Sequence, residues 1–330
     1  MTNKLTEIVK RSGIARGKSI ALGIDIGNAT VVATNGENTI VLPSVYTFMG
    51  DLSAARANPA ALIVGIDNRS YIVGEAAFDQ AGETSLLGTD DRYGAVICRL
   101  FLYAAIGRLY PHSECEPMLL NVALGTGTPI NLHDLNADAI RRLYCGDHSF
   151  TVNDALYVVH ITQVHIGAEA RSAGALLPEA ARSGRTAIID GGGKTTNVAL
   201  FSNGIYKNGG TYPYGFTKAM TDFTYHLDSQ AAYELQRAIT QKKPFFITSA
   251  GKRERIDVLF RAHIEGYAAD VIDALSAKVP IAQADNVYFI GGQQYFVANE
   301  LKERGIKVAS FDALAPEAVN AAAYYQEARQ

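Results

Sequence analysis

Apolar residues along this chain fall into two spacings, one that predicts strands and one that predicts helices. From Thr186 to Leu200, Ala187-Ile188-Ile189 leads into a polar, glycine-rich stretch from Asp190 to Asn197, and Val198-Ala199-Leu200 resumes the apolar run. Short β-branched runs on either side of glycines predict strand, tight turn, strand. Ile20 to Val32 repeats the pattern around Asp25 and Gly27, and Val287 to Ile290 is a third apolar run, ending on Gly291-Gly292. After Ile20 the alternation continues as a meander, through Ala33, an Asn35-Gly36 hairpin signal and Thr39 to Leu42, until Pro43-Ser44 ends it. Leu62 to Ile66 and Arg69 to Val73 flank Asp67-Asn68 as another hairpin, while Leu119 to Leu124, Ala155 to Val164 and Val308-Ala309 read as strands.

Helical spacing appears from Tyr93 to Tyr110, stopped by Pro111, and over Asn136 to Tyr144. It recurs over Gly167 to Arg182, where Pro178 is a candidate break, then over Phe216 to His226, Gln230 to Ile239 and Arg255 to Val279. Tyr295 to Arg304 and Pro316 to Tyr325 are the last two helices, and Gly74 to Ala77 opens a shorter helical pattern. Strands and helices mixed in this order predict an α/β protein.

Composition narrows the function classes. With 330 residues and 48% hydrophobic content the chain can bury a large two-lobed core, and a net charge of −3 gives no basic field, so the body is not expected to bind nucleic acid directly. Cys98, Cys115 and Cys145 are scattered and form no C-x-x-C, which predicts a reducing cytosol and no metal or iron–sulfur site. No apolar run approaches membrane-spanning length and no signal peptide is recognisable, so a cytoplasmic location is expected. Residues 1–19 carry Lys4, Lys10, Arg11, Arg16 and Lys18 against Glu7 alone. They read as a flexible basic tail, since Leu5, Ile8 and Val9 make too small an apolar face for a membrane anchor.

The glycine-rich turns carry the candidate chemistry. Glycines let successive backbone N–H groups converge on an anion, Asp190 offers a carboxylate to a metal, and Lys194, Thr195 and Thr196 add donors. Taken alone, such a turn reads equally as a ligand-free hairpin. Two strand–Asp–Gly units and a third strand ending on two glycines form a different picture together. Here the chain resembles the actin, heat-shock chaperone and sugar kinase superfamily, whose two phosphate hairpins and adenosine loop occupy these three relative positions. Pro43-Ser44, Val73 to Ala77 and the final Asn320-Ala-Ala-Ala-Tyr look similar to the prokaryotic ParM-like and archaeal-actin-like branch.

The resemblance implies an actin-like (ribonuclease H-like) two-lobed fold with a nucleotide cleft between the lobes: residues 20–162 plus 310–330 as lobe I and 163–309 as lobe II. It implies ATP, or GTP, with Mg²⁺ held by Asp25 and Asp190 through water. Gly27, Asn28 and Ala29 would serve the β-phosphate, and Gly191, Gly192, Gly193, Lys194 and Thr195 the γ-phosphate side. Gln163 is expected to orient the attacking water at the start of the helix crossing to the second lobe, with Glu169 and His165 as weaker candidates. Gly291, Gly292 and Gln293 would lie against purine and ribose, and Glu234 and Arg237 are adenosine contacts by analogy of position.

Three departures from the family pattern stand out. A phosphate-binding Lys expected in the first hairpin is Val32, while the second hairpin has Lys194 at its last Gly and Asn197 at its second Asp, so Lys194 is a candidate replacement for the missing cation. Longer relatives add substrate or peptide-binding domains for which this chain has no room. The resemblance therefore implies an ATPase that forms filaments with itself, coupled through a DNA-binding adaptor to plasmid segregation. A membrane-associated bacterial actin and a non-polymerising small-molecule kinase or phosphatase are the alternatives.

Overall fold

The computed structural model describes residues 17–48, 52–79, 84–86, 97–113, 116–216, 218–219, 222, 234–235, 238, 243–248, 250–256 and 261–330. The expected tail up to residue 16, Cys115, Arg237 and most of the two helices expected over 216–239 lie outside them. The chain divides into two compact units: Met1–Thr128 with Leu132–Ala168 and Asn320–Gln330, and Pro129–Asn131 with Glu169–Val319.

The first unit is built on β1 (Lys18–Ile26), β2 (Thr30–Thr34), β3 (Thr39–Pro43), β4 (Val45–Phe48), β5 (Leu62–Ile66), β6 (Arg69–Val73), β7 (Thr84–Leu86), β8 (Met118–Thr128), β9 (Gly146–Val152) and β10 (Ala155–Ala168). They form one sheet in the order β3-β2-β1-β8-β10-β9-β5-β6-β4-β7. The second unit has β11 (Arg185–Gly191), β12 (Thr196–Ser202), β13 (Ile205–Tyr212), β16 (Asn286–Ile290) and β17 (Val308–Ala309), in the order β13-β12-β11-β16-β17. A separate ribbon pairs β14 (Phe245–Ile247) with β15 (Arg253–Arg255).

Half of the large sheet and the whole of the small one share a plan. In each, three strands form an antiparallel meander, and two more join in parallel beyond the first strand: β3-β2-β1-β8-β10 and β13-β12-β11-β16-β17. β4 to β7 and β9 extend the first sheet only. Parallel strands need crossovers. Helix α1 (Ile97–Leu109) and α2 (His133–Tyr144) serve the first unit, α3 (Arg261–Ser276) and α4 (Gln294–Glu303) the second, and α5 (Val319–Ala328) closes the chain.

Burial on both faces explains why the central strands read as unbroken apolar runs. In β11, Ala187 and Ile189 enter one core cluster with Ile272 and Leu275 of α3, while Ile188 enters another with Phe201 and Phe311. Helix α1 is buried along nearly its whole circumference, with Phe101, Leu102, Ala104, Ala105 and Ile106 fully inaccessible.

Several expectations are corrected. Pro178 does break the helix expected over 167–182: β10 runs on to Ala168, and only a 3-10 turn (Ser172–Leu176) and one helical turn (Glu179–Arg182) follow. Gln163 accordingly lies within a strand, beside a bulge in the β8–β10 pairing, and not at a helix start. Of the helix expected from Arg255, Ile256 and Arg261–Ser276 are helical among the described residues, while Arg255 itself pairs in β15. Three-residue strands are too short for alternation to show. Asp67-Asn68 is a hairpin turn as expected and Asn203-Gly204 is another, both residues of each having positive φ.

A buried histidine makes the first unit sensitive to acid. His148 Nε2 lies 2.6 Å from the Tyr144 carbonyl and must donate to it, which leaves Nδ1 to accept from the Tyr103 hydroxyl at 2.7 Å. Burial, reinforced by nearby Arg99, lowers the His148 pKa below its ordinary value of 6.5. A depressed folded-state pKa means that its contribution is complete above about pH 6.5, and is lost as pH falls through that value toward the folded pKa. Stability is expected to decline by up to about 1.4 kcal/mol per pH unit through this group. Urea midpoints at pH 7.5, 6.5 and 5.5 should show a shallower decline in His148→Gln, and equal slopes would reject the assignment.

Candidate functional site

Each unit carries an Asp at the end of its first meander strand and a tight turn after it. In the β1–β2 hairpin the Gly27 N–H donates to the Thr30 carbonyl at 2.9 Å; in the β11–β12 hairpin the Gly192 N–H donates to the Thr195 carbonyl at 2.9 Å. The Asp stands two residues before the glycine in both, and pairs across the strands with Val32 in one and Asn197 in the other. The turns are thus the same device used twice. Gly27 and Gly192 spend their N–H groups inside the turns.

Different neighbours brace the two turns. Ser44 holds the first: its hydroxyl donates to the Gly27 carbonyl at 2.6 Å and its N–H to the Ala29 carbonyl at 3.0 Å. Half-buried Asp25 accepts from Asn320 Nδ2 of α5 at 3.4 Å. In the second turn the Gly192 carbonyl accepts from the Phe216 N–H at 3.1 Å and from Gln293 Nε2 at 2.8 Å. Gln293 is fully buried and its Nε2 also donates to the Tyr214 carbonyl at 3.1 Å, while its N–H donates to the Gly191 carbonyl at 3.1 Å. Its amide nitrogen, expected to meet ribose or phosphate, instead ties the Gly291–Gln293 loop to the hairpin.

The same loop presses on Asp190. Gly291 has φ +80°, and a Cβ there would come within 2.5 Å of Asp190 Oδ1, so its missing side chain makes room for the carboxylate. Asp190 is 5% exposed. Gly292, by contrast, is exposed and a Cβ there would meet nothing within 4 Å. Gly193, Lys194 and Thr195 at the turn, and Asn28 and Ala29 at the other, are half-buried.

Alongside Asp190 runs a polar row that the first unit lacks. Asp190, Asn197 and Thr211 stand directly opposite one another on β11, β12 and β13, so their side chains share one face. Asn197 Oδ1 accepts from the Thr211 hydroxyl at 2.6 Å and from the Ile130 N–H at 3.3 Å, and Nδ2 donates to Glu169 Oε2 at 2.6 Å. Glu169 is itself 9% exposed. The matching row on β1, β2 and β3 is Asp25, Val32 and Val41. Glu169 is therefore placed beside the Asp190 hairpin, whereas Gln163 is exposed on β10 and His165, also on β10, has a buried Nε2 without a hydrogen-bond partner. Glu234 is half-exposed in a helical segment. Among the described residues no group of three or more His, Cys, Asp or Glu could hold a metal by itself. Each hairpin offers a single carboxylate, a donor type that Mg²⁺ accepts while keeping most of its water.

Comparison with known proteins follows from this geometry. Residues 23–170 match the model of the actin-like proteins' N-terminal domain. Over that stretch the chain is similar to actin-like proteins, and solved structures extend the likeness of fold to nearly the whole chain. Its fold is shared, at 14% identity, with the archaeal actin homologue Ta0583 in complex with ADP, over 94% of this chain and 99% of that one with a TM-score of 0.74. A 15-stranded ParM filament from Clostridium botulinum matches at 17% identity and TM-score 0.75, over 95% and 99% of the two chains. Bacillus thuringiensis ParM with ATP matches at 16% identity and TM-score 0.65, over 94% and 98%. No curated protein sequence matches. The actin-like fold expected from the three glycine motifs is present, and no helix among the described residues is long and apolar enough to cross a membrane.

Proposed function

We propose that this protein binds ATP with Mg²⁺, polymerises with further copies of itself, and disassembles after hydrolysis, in the manner of ParM-like and archaeal actin-like proteins. The observation that carries the reading is the repeated turn: one Asp-x-Gly device at the first meander strand of each unit, with N–H groups of Asn28 and Ala29, and of Gly193 and Lys194, next in line after the closing bond. Asp25 and Asp190 are the carboxylates that would serve magnesium, which when bound would supply positive charge to offset that of the phosphates. Lys194 supplies the cation that Val32 cannot. Gly292, with open space above it, faces the purine.

Glu169 orients the attacking water in this reading, because it is the carboxylate that Asn197 holds beside Asp190, whereas Gln163 is exposed on β10. The cargo is plasmid DNA reached through a DNA-binding adaptor, and the location cytoplasmic; both rest on likeness to ParM-type proteins.

Adding ATP and Mg²⁺ to the purified protein should raise right-angle light scattering above a critical concentration, and the signal should decay as phosphate is released. Hydrolysis without scattering at any concentration would point to a non-polymerising enzyme, and neither binding nor scattering would reject the reading.

A further inference from the structure

We infer that Asn197 is a positioning residue for hydrolysis, acting through Glu169, and that its amide is the reason this hairpin carries Asn where the family pattern has Asp. The inference rests on the ATPase reading above.

Glu169 comes to the hairpin from outside the sheet, 28 positions before Asn197, at the point where β10 ends. Asn197 is 1% exposed and sits in mid-row, so its orientation is set by both of its ends. Oδ1 accepts from the Ile130 N–H, a donor that only an oxygen can satisfy, and from the Thr211 hydroxyl. Nδ2 then points at Glu169, whose carboxylate needs a donor. Thr211 is held in turn, its hydroxyl accepting from the Asn131 N–H at 3.1 Å and its N–H donating to Asn131 Oδ1 at 3.2 Å. A carboxylate that must aim a water is useful only if it keeps one rotamer, and this chain of bonds supplies that constraint.

An aspartate in place of Asn197 would keep both bonds at Oδ1 but set a second carboxylate oxygen against Glu169 Oε2. Two acceptors at that distance repel, so Glu169 would turn away or take up a proton. The native amide avoids this while matching the shape. The row at Asp25, Val32 and Val41 has no such amide, so this positioning contact belongs to the second unit.

The test compares wild type, Glu169→Gln, Asn197→Asp and the double variant Glu169→Gln/Asn197→Asp, for ATP affinity, kcat and thermal midpoint. Glu169→Gln should bind ATP within about threefold of wild type and lose about 100-fold in kcat. Asn197→Asp should lose kcat to a similar extent at saturating ATP, at a temperature well below its own midpoint, and melt earlier than wild type. In the double variant the donor and acceptor are exchanged, the new amide on the 169 side donating to the new carboxylate on the 197 side. The midpoint should then return while kcat falls no further than in Glu169→Gln. A purely structural Asn197 would lower the midpoint and ATP affinity together and leave kcat of the folded, ATP-loaded protein unchanged. That result, or losses that multiply in the double variant, would overturn the inference. If wild type binds and hydrolyses ATP but Glu169→Gln does so at the same rate, this inference fails and the ATPase reading stands; if wild type does not bind ATP, the reading itself fails.

Discussion

Asp190→Ala is expected to cut ATP hydrolysis by about 100- to 1,000-fold, the range seen when one preorganised electrostatic partner of a transition state is removed. Asp190 ends a central strand, is 5% exposed, and is overlaid by Gly291, so its carboxylate has little freedom. A rigid, almost buried carboxylate suits a metal held through water, because no reorganisation is needed when charge develops. Its removal also leaves a small void against Gly291. Asp190→Asn, which keeps the volume and loses only the charge, should therefore reproduce the loss of activity with a thermal midpoint near that of wild type. Steady-state phosphate release equal to wild type in either variant would sink the metal assignment.

Gly125→Ala is expected to destabilise the first unit by about 3 kcal/mol or more, the upper end of the cost of overpacking. A Cβ at Gly125 would overlap the Tyr324 carbonyl oxygen and carbon, which belong to the backbone of α5 and cannot rotate aside. Gly23 on the neighbouring strand meets the Ala321 carbonyl and Tyr325 N in the same way, and Gly127 meets the Tyr324 ring. The final helix thus lies on β1 and β8 at a spacing that side chains would forbid, and it brings Asn320 to Asp25. Displacing it should lower stability and weaken nucleotide binding together. Gly266→Ala is the control: it lies inside α3 with nothing within 4 Å of the added carbon, and should be stabilising by up to about 1 kcal/mol. Comparable denaturant midpoints for Gly125→Ala and wild type would show that α5 can move without cost.

The two Asp-Gly hairpins were legible because turn chemistry is local. Asp25 to Thr30 and Asp190 to Thr195 each close on themselves within six residues, with glycine at the position that makes the bond, and the flanking apolar runs state that both strand faces are buried. The α1 helix was legible for the same reason, its apolar residues exceeding what one face needs. The run around Gln163 reads as strand from its own residues, and it was the resemblance that put Gln163 at a helix start; the bulge beside it has no local signal and shows only in the pairing with β8.

What the sequence by itself determined is the set of strand–turn devices from which the actin-like fold was expected, since each is a short-range consequence of glycine, β-branched residues and a capping carboxylate. The tertiary structure alone decided how the candidate site is held. Ser44 reaches Gly27 across 17 positions, Asn320 reaches Asp25 across 295, and Gln293 reaches Gly192 across 101. Glu169 and Asn197 become partners only because the residue that follows β10 lies against β12, and one amide can satisfy Thr211, Ile130 and a buried carboxylate at once. Hydrogen-bond partnership between side chains so far apart in sequence depends on where backbones cross, and no periodicity along the chain encodes that crossing.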